Sequence, residues 1–271
     1  MKTPERISSR SNPLIKFARS LRDRKDRSRS GKFLVEGIVH IGEASAAGWQ
    51  IDSVLFSPEL LESNFAMNMV TAMSARGIRC ISVTPDVLGS LTEKENPQGL
   101  IAIVDQKNAL LDSLSPAEFH YAMALVSPQD PGNIGTILRT LDAVDADGLF
   151  LLDGGADQYH PSAVRASMGA LFLKPVIKTT FDEFASWAKE NHFQLVGTTA
   201  HATLDFREIK LNNQRWVIVM GSEQKGLSRE QLEICDVSVK LPMHGRTSSL
   251  NLAVAAGVLL YSLIEGRRAS Q

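Results

Sequence analysis

Five apolar runs of strand length recur through the second half of the chain, at residues 122–126, 149–152, 194–198, 216–220 and 237–241. Segments of helical composition lie between them, at about 133–145, 161–168, 181–191 and 228–234. Runs this apolar leave no polar face for water. They predict a parallel sheet covered on both sides, with the helices as the covering layers. No other feature narrows the fold as far.

A last apolar segment, 249–264, is helical in composition but apolar nearly all round. Such a helix has to be buried on every side. In a domain of this size part of that burial is expected from a second subunit, so a homodimer is predicted. The run is interrupted by Asn251 and Gly257 and is too short to span a bilayer.

The first half has a different texture. Residues 12–27 read as a basic helix with Leu14, Phe17, Ala18 and Leu21 on one face. Strands follow at 32–35, 51–56, 80–83 and 100–104, with helices at 38–47 and 62–75. This is the pattern of a small α/β domain. The boundaries that follow are an N-terminal domain over 1–107, a linker over 108–120 and a second α/β domain over 121–271.

The formal net charge of the 271 residues is only −1, but it is unevenly spread. Residues 1–32 hold eleven Lys/Arg against three Asp/Glu, a net of +8, which leaves −9 for the rest. That asymmetry suggests a phosphate-binding arm on an acidic body, or equally a solvated basic tail. The two cysteines, Cys80 and Cys235, sit in apolar contexts and read as buried reduced thiols, which fits a reducing compartment. With no secretory h-region, a cytoplasmic protein is expected.

Three polar motifs stand where apolar runs end. The first, Asp130-Pro-Gly-Asn-Ile-Gly-Thr-Ile-Leu-Arg139, follows run 122–126. Pro and Gly break the strand, and Asn133 is placed to cap the next helix. Along that helix Ile134, Ile137, Leu138, Leu141 and Val144 share a face, with Arg139 nearly opposite. The second, Val219-Met-Gly-Ser-Glu-Gln-Lys-Gly-Leu227, carries Glu223 between Gly221 and Gly226. It sits at a strand's carboxyl end, the edge where open α/β sheets bind ligands. It is not a G-x-G-x-x-G pattern, so a dinucleotide oxidoreductase ranks well below. The third, Leu241-Pro-Met-His-Gly-Arg-Thr-Ser-Ser-Leu-Asn251, leads into the final helix. Ser248 or Ser249 is expected to cap that helix. Asn251 needs a partner for its amide, and either faces a ligand or orders Glu223 or Arg139.

No metal is expected. His40, His120, His160, His192, His201 and His244 lack ligand spacing and read mostly as surface residues. Asp153-Gly-Gly-Ala-Asp157 reads as a strand-end turn.

In this order and spacing the three motifs resemble the SpoU/TrmH family, RNA ribose 2′-O-methyltransferases of the trefoil-knotted SPOUT class, over residues 121–265. The resemblance implies a deep knot and S-adenosylmethionine as cofactor. It implies cofactor contacts from Thr198, Thr199, Ala200, Gly221, Glu223, Leu241, Met243, Ser249 and Leu250. It implies an active site of Asn133, Arg139, Glu223, Ser249 and Asn251. The stretches Asn12-Pro-Leu-Ile-Lys16, Gly31-Lys-Phe-Leu-Val-Glu-Gly37 and Asn96-Pro-Gln-Gly99 resemble the ribosomal-protein-like domain attached to many rRNA-modifying members. Arg165, Ser167 and Gly169 resemble a family stretch near RNA, with helix termination as the competing reading. Further RNA contacts are expected from Arg139 and from Lys16, Arg22, Arg24, Lys25 and Lys32. Ribosomal RNA is the favoured substrate. A tRNA 2′-O-methyltransferase and a non-catalytic RNA-binding member remain open.

Overall fold

Two sheets organise the chain in the computed structural model, which describes residues 6–92, 97–116, 119–209 and 215–268. The chain divides into two compact units. One holds the described residues up to Lys107 together with Tyr159–Phe172; the other holds Asn108–Gln158 and the described residues from Leu173 onward.

The first unit runs β1 (Arg6–Ile7), α1 (Pro13–Ser20), α2 (Arg24–Ser30), β2 (Lys32–Glu36), α3 (Ile38–Ala46), β3 (Ile51–Phe56), α4 (Asn64–Ala75), β4 (Arg79–Val83), α5 (Pro85–Gly89) and β5 (Leu100–Asp105). Its sheet has the order β1-β4-β3-β5-β2, with β5 antiparallel to both β3 and β2. The single helix expected over 12–27 is two helices. Asn12 caps α1 by accepting from Leu14 N at 2.9 Å, and Pro13 supplies a first-turn residue needing no N–H partner. The chain then turns at Leu21–Asp23, where Arg22 N and Asp23 N donate back to Arg19 O and Ser20 O.

Within the described residues the basic arm is folded. β1 pairs with β4, and Ile15, Ala18 and Leu21 lie in the core with Leu14 and Phe17 at its margin. Much of its charge is used locally. Arg6 pairs with Glu59, Arg10 with Asp86 and Arg29 with Asp26, and Arg27 is buried. Residues 1–5 of the arm, and Asn96, lie outside the described residues.

The second unit begins β6 (Tyr121–Val126), α6 (Pro131–Ala143) and β7 (Gly148–Leu152). Helices α7 (Pro161–Ala166) and α8 (Ala170–Leu173) follow; all of α7, and α8 up to Phe172, lie in the stretch that groups with the first unit. The chain continues β8 (Val176–Thr179), α9 (Phe181–Glu190), β9 (Gln194–Thr198), β10 (Leu204–Asp205), β11 (Trp216–Met220), α10 (Arg229–Ile234), β12 (Val237–Lys240) and α11 (Leu252–Arg268). The predicted parallel sheet has seven strands rather than five, in the order β10-β12-β9-β11-β6-β7-β8. The two missed strands are short: β10 has two residues, and β8 carries Lys178 and Thr179 on a half-exposed edge.

Both faces are covered, as uniformly apolar strands require. Ala122, Ala124, Phe150, Val217 and Val219 pack with Phe181, Phe184 and Trp187 of α9. The alternate residues Met123, Leu125, Leu151 and Ile218 are buried too, as is the apolar face of α6. The stretch 153–157 is the turn expected, with Gly154 and Gly155 at positive φ. Cys80 and Cys235 are free thiols, half-buried and buried. Burial, aided by the neighbouring Asp236 charge, pushes the Cys235 thiol up to about 12.

Candidate active site

Strands β12, β9, β11 and β6 are adjacent and parallel, so their carboxyl ends stand side by side. The three sequence motifs leave the sheet along this edge. Its backbone is tightly fixed. Thr199 N donates to Val239 O at 3.0 Å, and the Thr198 hydroxyl donates to Val219 O at 3.2 Å. Gly221 has no room for a side chain: a Cβ there would lie 1.9 Å from the Gly226 carbonyl carbon. Gly226 itself has φ +66, the left-handed region glycine tolerates.

The loop after β6 meets Glu223. Ser127 has φ 46, an uncommon value for a non-glycine residue, and its hydroxyl donates to Asp153 O at 3.0 Å. Asp130, not Asn133, caps α6: its Oδ1 accepts from Gly132 N at 2.8 Å, with Pro131 in the first turn. The Asp-Pro pair was the available signal for this. Asn133 is therefore free for another task, and it is buried.

Its task is a relay. Asn133 Nδ2 donates to Glu223 Oε1 at 2.9 Å, while Asn133 Oδ1 accepts from Asn251 Nδ2 at 3.0 Å. Glu223 also accepts from the backbone N–H of Gln129 at 3.0 Å and of Asp130 at 3.4 Å. One residue from each motif thus joins a single chain of hydrogen bonds. Burial alone would push the Glu223 carboxyl up. The hydrogen bonds from its own backbone, Asn133, Gln129 and Asp130 outweigh that and hold it below the ordinary glutamate range. A carboxylate so held is a weak proton acceptor and a fixed anchor.

Asn251 also caps α11. Its Oδ1 accepts from Ala253 N at 2.9 Å and Val254 N at 3.3 Å, so the capping expected of Ser248 or Ser249 belongs to Asn251. Ser249 is exposed and stands outside the relay; Thr247 donates to its carbonyl. Arg139 is exposed on α6, and no hydrogen bond or ion pair to another described residue holds its side chain. No described residue neutralises that charge, so it can act on a bound anion.

The residues expected around a cofactor follow three neighbouring strand ends. Thr198, Thr199 and Ala200 continue β9, Gly221 and Glu223 follow β11, and Leu241 and Met243 follow β12. Ser249 and Leu250 precede α11. Backbone groups, glycine and apolar side chains at one edge suit a ligand held mainly by main-chain contacts.

The RNA contacts expected of the first unit divide. Lys16 and Lys25 are exposed, as is Arg24, which engages within the protein. Lys32 is not available: its ammonium pairs with Asp52 at 2.9 Å and with Asp105. Ser167 is fully buried and donates to Val164 O at 2.8 Å, so helix termination explains it. Gly169, at φ +100, packs so closely on Glu43 that a Cβ would lie 2.7 Å from its Cγ. Arg165 is exposed. His40, read as a surface residue, is buried.

Comparison with known proteins finds a family for both halves of the chain. The model of the SpoU rRNA Methylase family matches residues 120–261, and that of the MRM3-like substrate binding domain matches residues 12–102. A 23S rRNA (uridine(2479)-2′-O)-methyltransferase of Streptomyces viridochromogenes is 33% identical over 97% of this chain and 92% of its own length. The 23S rRNA (guanosine(2553)-2′-O)-methyltransferase RlmP of Bacillus subtilis (strain 168) is 28% identical over 96% of this chain and 99% of its own. An AdoMet-bound rRNA methyltransferase from Sinorhizobium meliloti superposes with a TM-score of 0.88 at 31% identity, covering 97% of this chain and 98% of that one.

Proposed function

The chain belongs to the SpoU rRNA Methylase family, and from that premise we propose that it methylates a ribose 2′-OH of ribosomal RNA, using the carboxyl edge of the seven-stranded sheet as its active site. The observation that carries this reading is the Glu223–Asn133–Asn251 relay, which joins three distant motifs at one sheet edge. S-adenosylmethionine is the cofactor, and when bound it supplies an electrophilic sulfonium methyl group. Thr198, Thr199, Ala200, Gly221, Glu223, Leu241, Met243, Ser249 and Leu250 are the residues we assign to holding it.

A ribose hydroxyl is a weak nucleophile at neutral pH, so orientation and charge carry much of the acceleration. Arg139 is the catalytic residue: its guanidinium contacts the neighbouring phosphate and stabilises the 2′-oxygen as its proton departs. Arginine stays protonated, so the proton goes to water or to the phosphate rather than to Arg139. Glu223, already saturated with donors, is a positioning residue that fixes Asn133 and, through it, Asn251. Ser249 completes the site when substrate is present.

Three further assignments belong to this reading. The 241–251 loop and α11 form the threaded part of a trefoil knot. The protein is a homodimer through α11, on which Val254, Val258 and Tyr261 form an exposed apolar stripe at 54%, 39% and 48% accessibility. It works in the cytoplasm, which suits two unpaired thiols; among the described residues no helix is long and apolar enough to cross a membrane. Ribosomal rather than transfer RNA is supported by the match of residues 12–102 and by the named substrates of the relatives.

The test is transfer of radiolabelled methyl from S-adenosylmethionine to total RNA from a deletion strain, with wild type and Arg139→Ala in parallel. Label is expected in one rRNA species, falling about 10²–10³-fold in the variant, the usual loss for a charge-stabilising donor. Cofactor affinity by calorimetry is expected to be unchanged. Label in tRNA would reassign the substrate. Full activity in Arg139→Ala would remove that residue from catalysis.

A further inference from the structure

Two arginines of the first unit face one small pocket. Arg22 lies in the turn after α1 and Arg165 lies on α7; Glu36 and Thr92 also line the pocket, over an apolar floor that includes Leu34 and Val164. The Nη2 nitrogen of Arg22 is buried and has no hydrogen-bond partner among the described residues. A buried guanidinium nitrogen without an acceptor carries an uncompensated desolvation cost. Such a donor is a place where an anion binds at a gain.

The surrounding structure fixes both arginines. Arg27, 1% exposed, donates through Nη1 to Leu21 O at 2.9 Å and to Arg22 O at 2.5 Å. Its buried charge thereby pins the turn from which Arg22 projects. His40, also buried, donates from Nε2 to Arg165 O at 3.3 Å. Two costly buried polar side chains are thus spent on the carbonyls of two residues whose own side chains line the same pocket. A pair of solvated surface arginines needs no such support.

The acid in the pocket refines the ligand. Glu36 engages other groups of the protein, among them the Thr92 hydroxyl, which donates to its Oε1 at 2.8 Å; the four lone-pair sites of a carboxylate accommodate a further donor beside them. A bare anion gains nothing from it, but a sugar hydroxyl beside a phosphate does. The pocket is open to solvent on one side and its inner space is about 40 Å³, room for a phosphate or a ribose edge.

We propose that this pocket is a ribose-phosphate subsite for RNA: Arg22 and Arg165 take a phosphodiester through their N–H groups, and Glu36 accepts the adjacent 2′-OH. It rests on the reading of the protein as an RNA-binding enzyme. Phosphate contacts fix register without reading sequence. The 2′-OH contact distinguishes RNA from DNA. The subsite is therefore blind to base identity and selective for ribose.

The experiment is filter binding of the full-length protein to a single-stranded RNA and to the DNA of the same sequence, over a range of salt. Wild type is compared with Arg22→Met, Arg22→Lys, Arg165→Met and Glu36→Ala, each checked for an unchanged melting profile. Each Arg→Met variant is expected to weaken RNA and DNA binding alike and to lower the salt slope by about 0.7, the value for one single-strand phosphate contact. Arg22→Lys retains the slope. Glu36→Ala weakens RNA binding and leaves DNA binding unchanged. Wild-type RNA binding with unaltered slopes in both Arg→Met variants, or equal effects of Glu36→Ala on RNA and DNA, overturns the subsite alone. Wild type that binds neither polymer overturns the RNA reading itself. If Arg22→Met proves unfolded, the exposed Arg165→Met decides.

Discussion

Glu223 shows how one side chain's surroundings decide its role. A glutamate in a Gly-rich turn at a strand end could serve as a base, an anchor or a capping group. Its oxygens accept from Asn133, Gln129 and Asp130, and its pKa is held down as a result. Because the folded pKa lies below the unfolded value of about 4.3, the stabilisation is full above that value. It is lost as pH falls through the folded pKa. The stability gap between wild type and Glu223→Gln, followed by urea melts, should be constant above about pH 5 and shrink on acidification. A gap that widens in acid would mean that Glu223 is not anchored as an anion. Glu223→Ala leaves the buried Asn133 amide and two backbone N–H groups without their acceptor. A loss of about 1–3 kcal/mol is expected, with kcat falling more than cofactor affinity.

At the scale of elements, α6 and α11 carry the site because both start at the same sheet edge. α11 runs alongside α6, with Asn251 reaching Asn133 and Gly257 lying where a Cβ would stand 4.0 Å from Thr140 Cγ2. Asn251 both caps α11 and closes the relay. Asn251→Ala should therefore cost more than Ser249→Ala: about 0.5–2 kcal/mol for the lost cap, against almost nothing for an exposed serine. Equal stability of the two variants in thermal melts would contradict the capping assignment. Gly221→Ala should be worse than ordinary overpacking, which costs about 1–3 kcal/mol, because the clashing atoms are backbone that cannot rotate away. Failure to accumulate as soluble protein is the expected outcome; a folded, active Gly221→Ala enzyme would show that the turn has another conformation.

At the scale of the whole molecule, the exposed stripe on α11 is the feature that a single chain leaves open. Val258→Glu, which places a charge in that stripe, should yield a monomer by analytical ultracentrifugation at micromolar concentration, while wild type sediments as a dimer. Sedimentation of wild type as a monomer would remove the dimer from the proposal. The sequence by itself determined the covered parallel sheet and its five main strands to within a residue at each end, because strand periodicity and Gly/Pro breaks are local signals; the residues of the relay came from the resemblance of the three motifs to a family. The same local reading ran 12–27 together as one helix, since Leu14, Phe17, Ala18 and Leu21 set a helical face and no Gly or Pro marks the turn after it, which the Arg27 side chain stabilises. The resemblance named Asn133, Glu223 and Asn251 but not the bonds among them. Only the tertiary structure decided those, because Asn133 meets partners 90 and 118 residues further along the chain. Nor could residue type separate Arg22, with a buried unpaired nitrogen, from Lys32, held by two carboxylates. Charge is written in the sequence, but its availability depends on which acids the fold brings within reach.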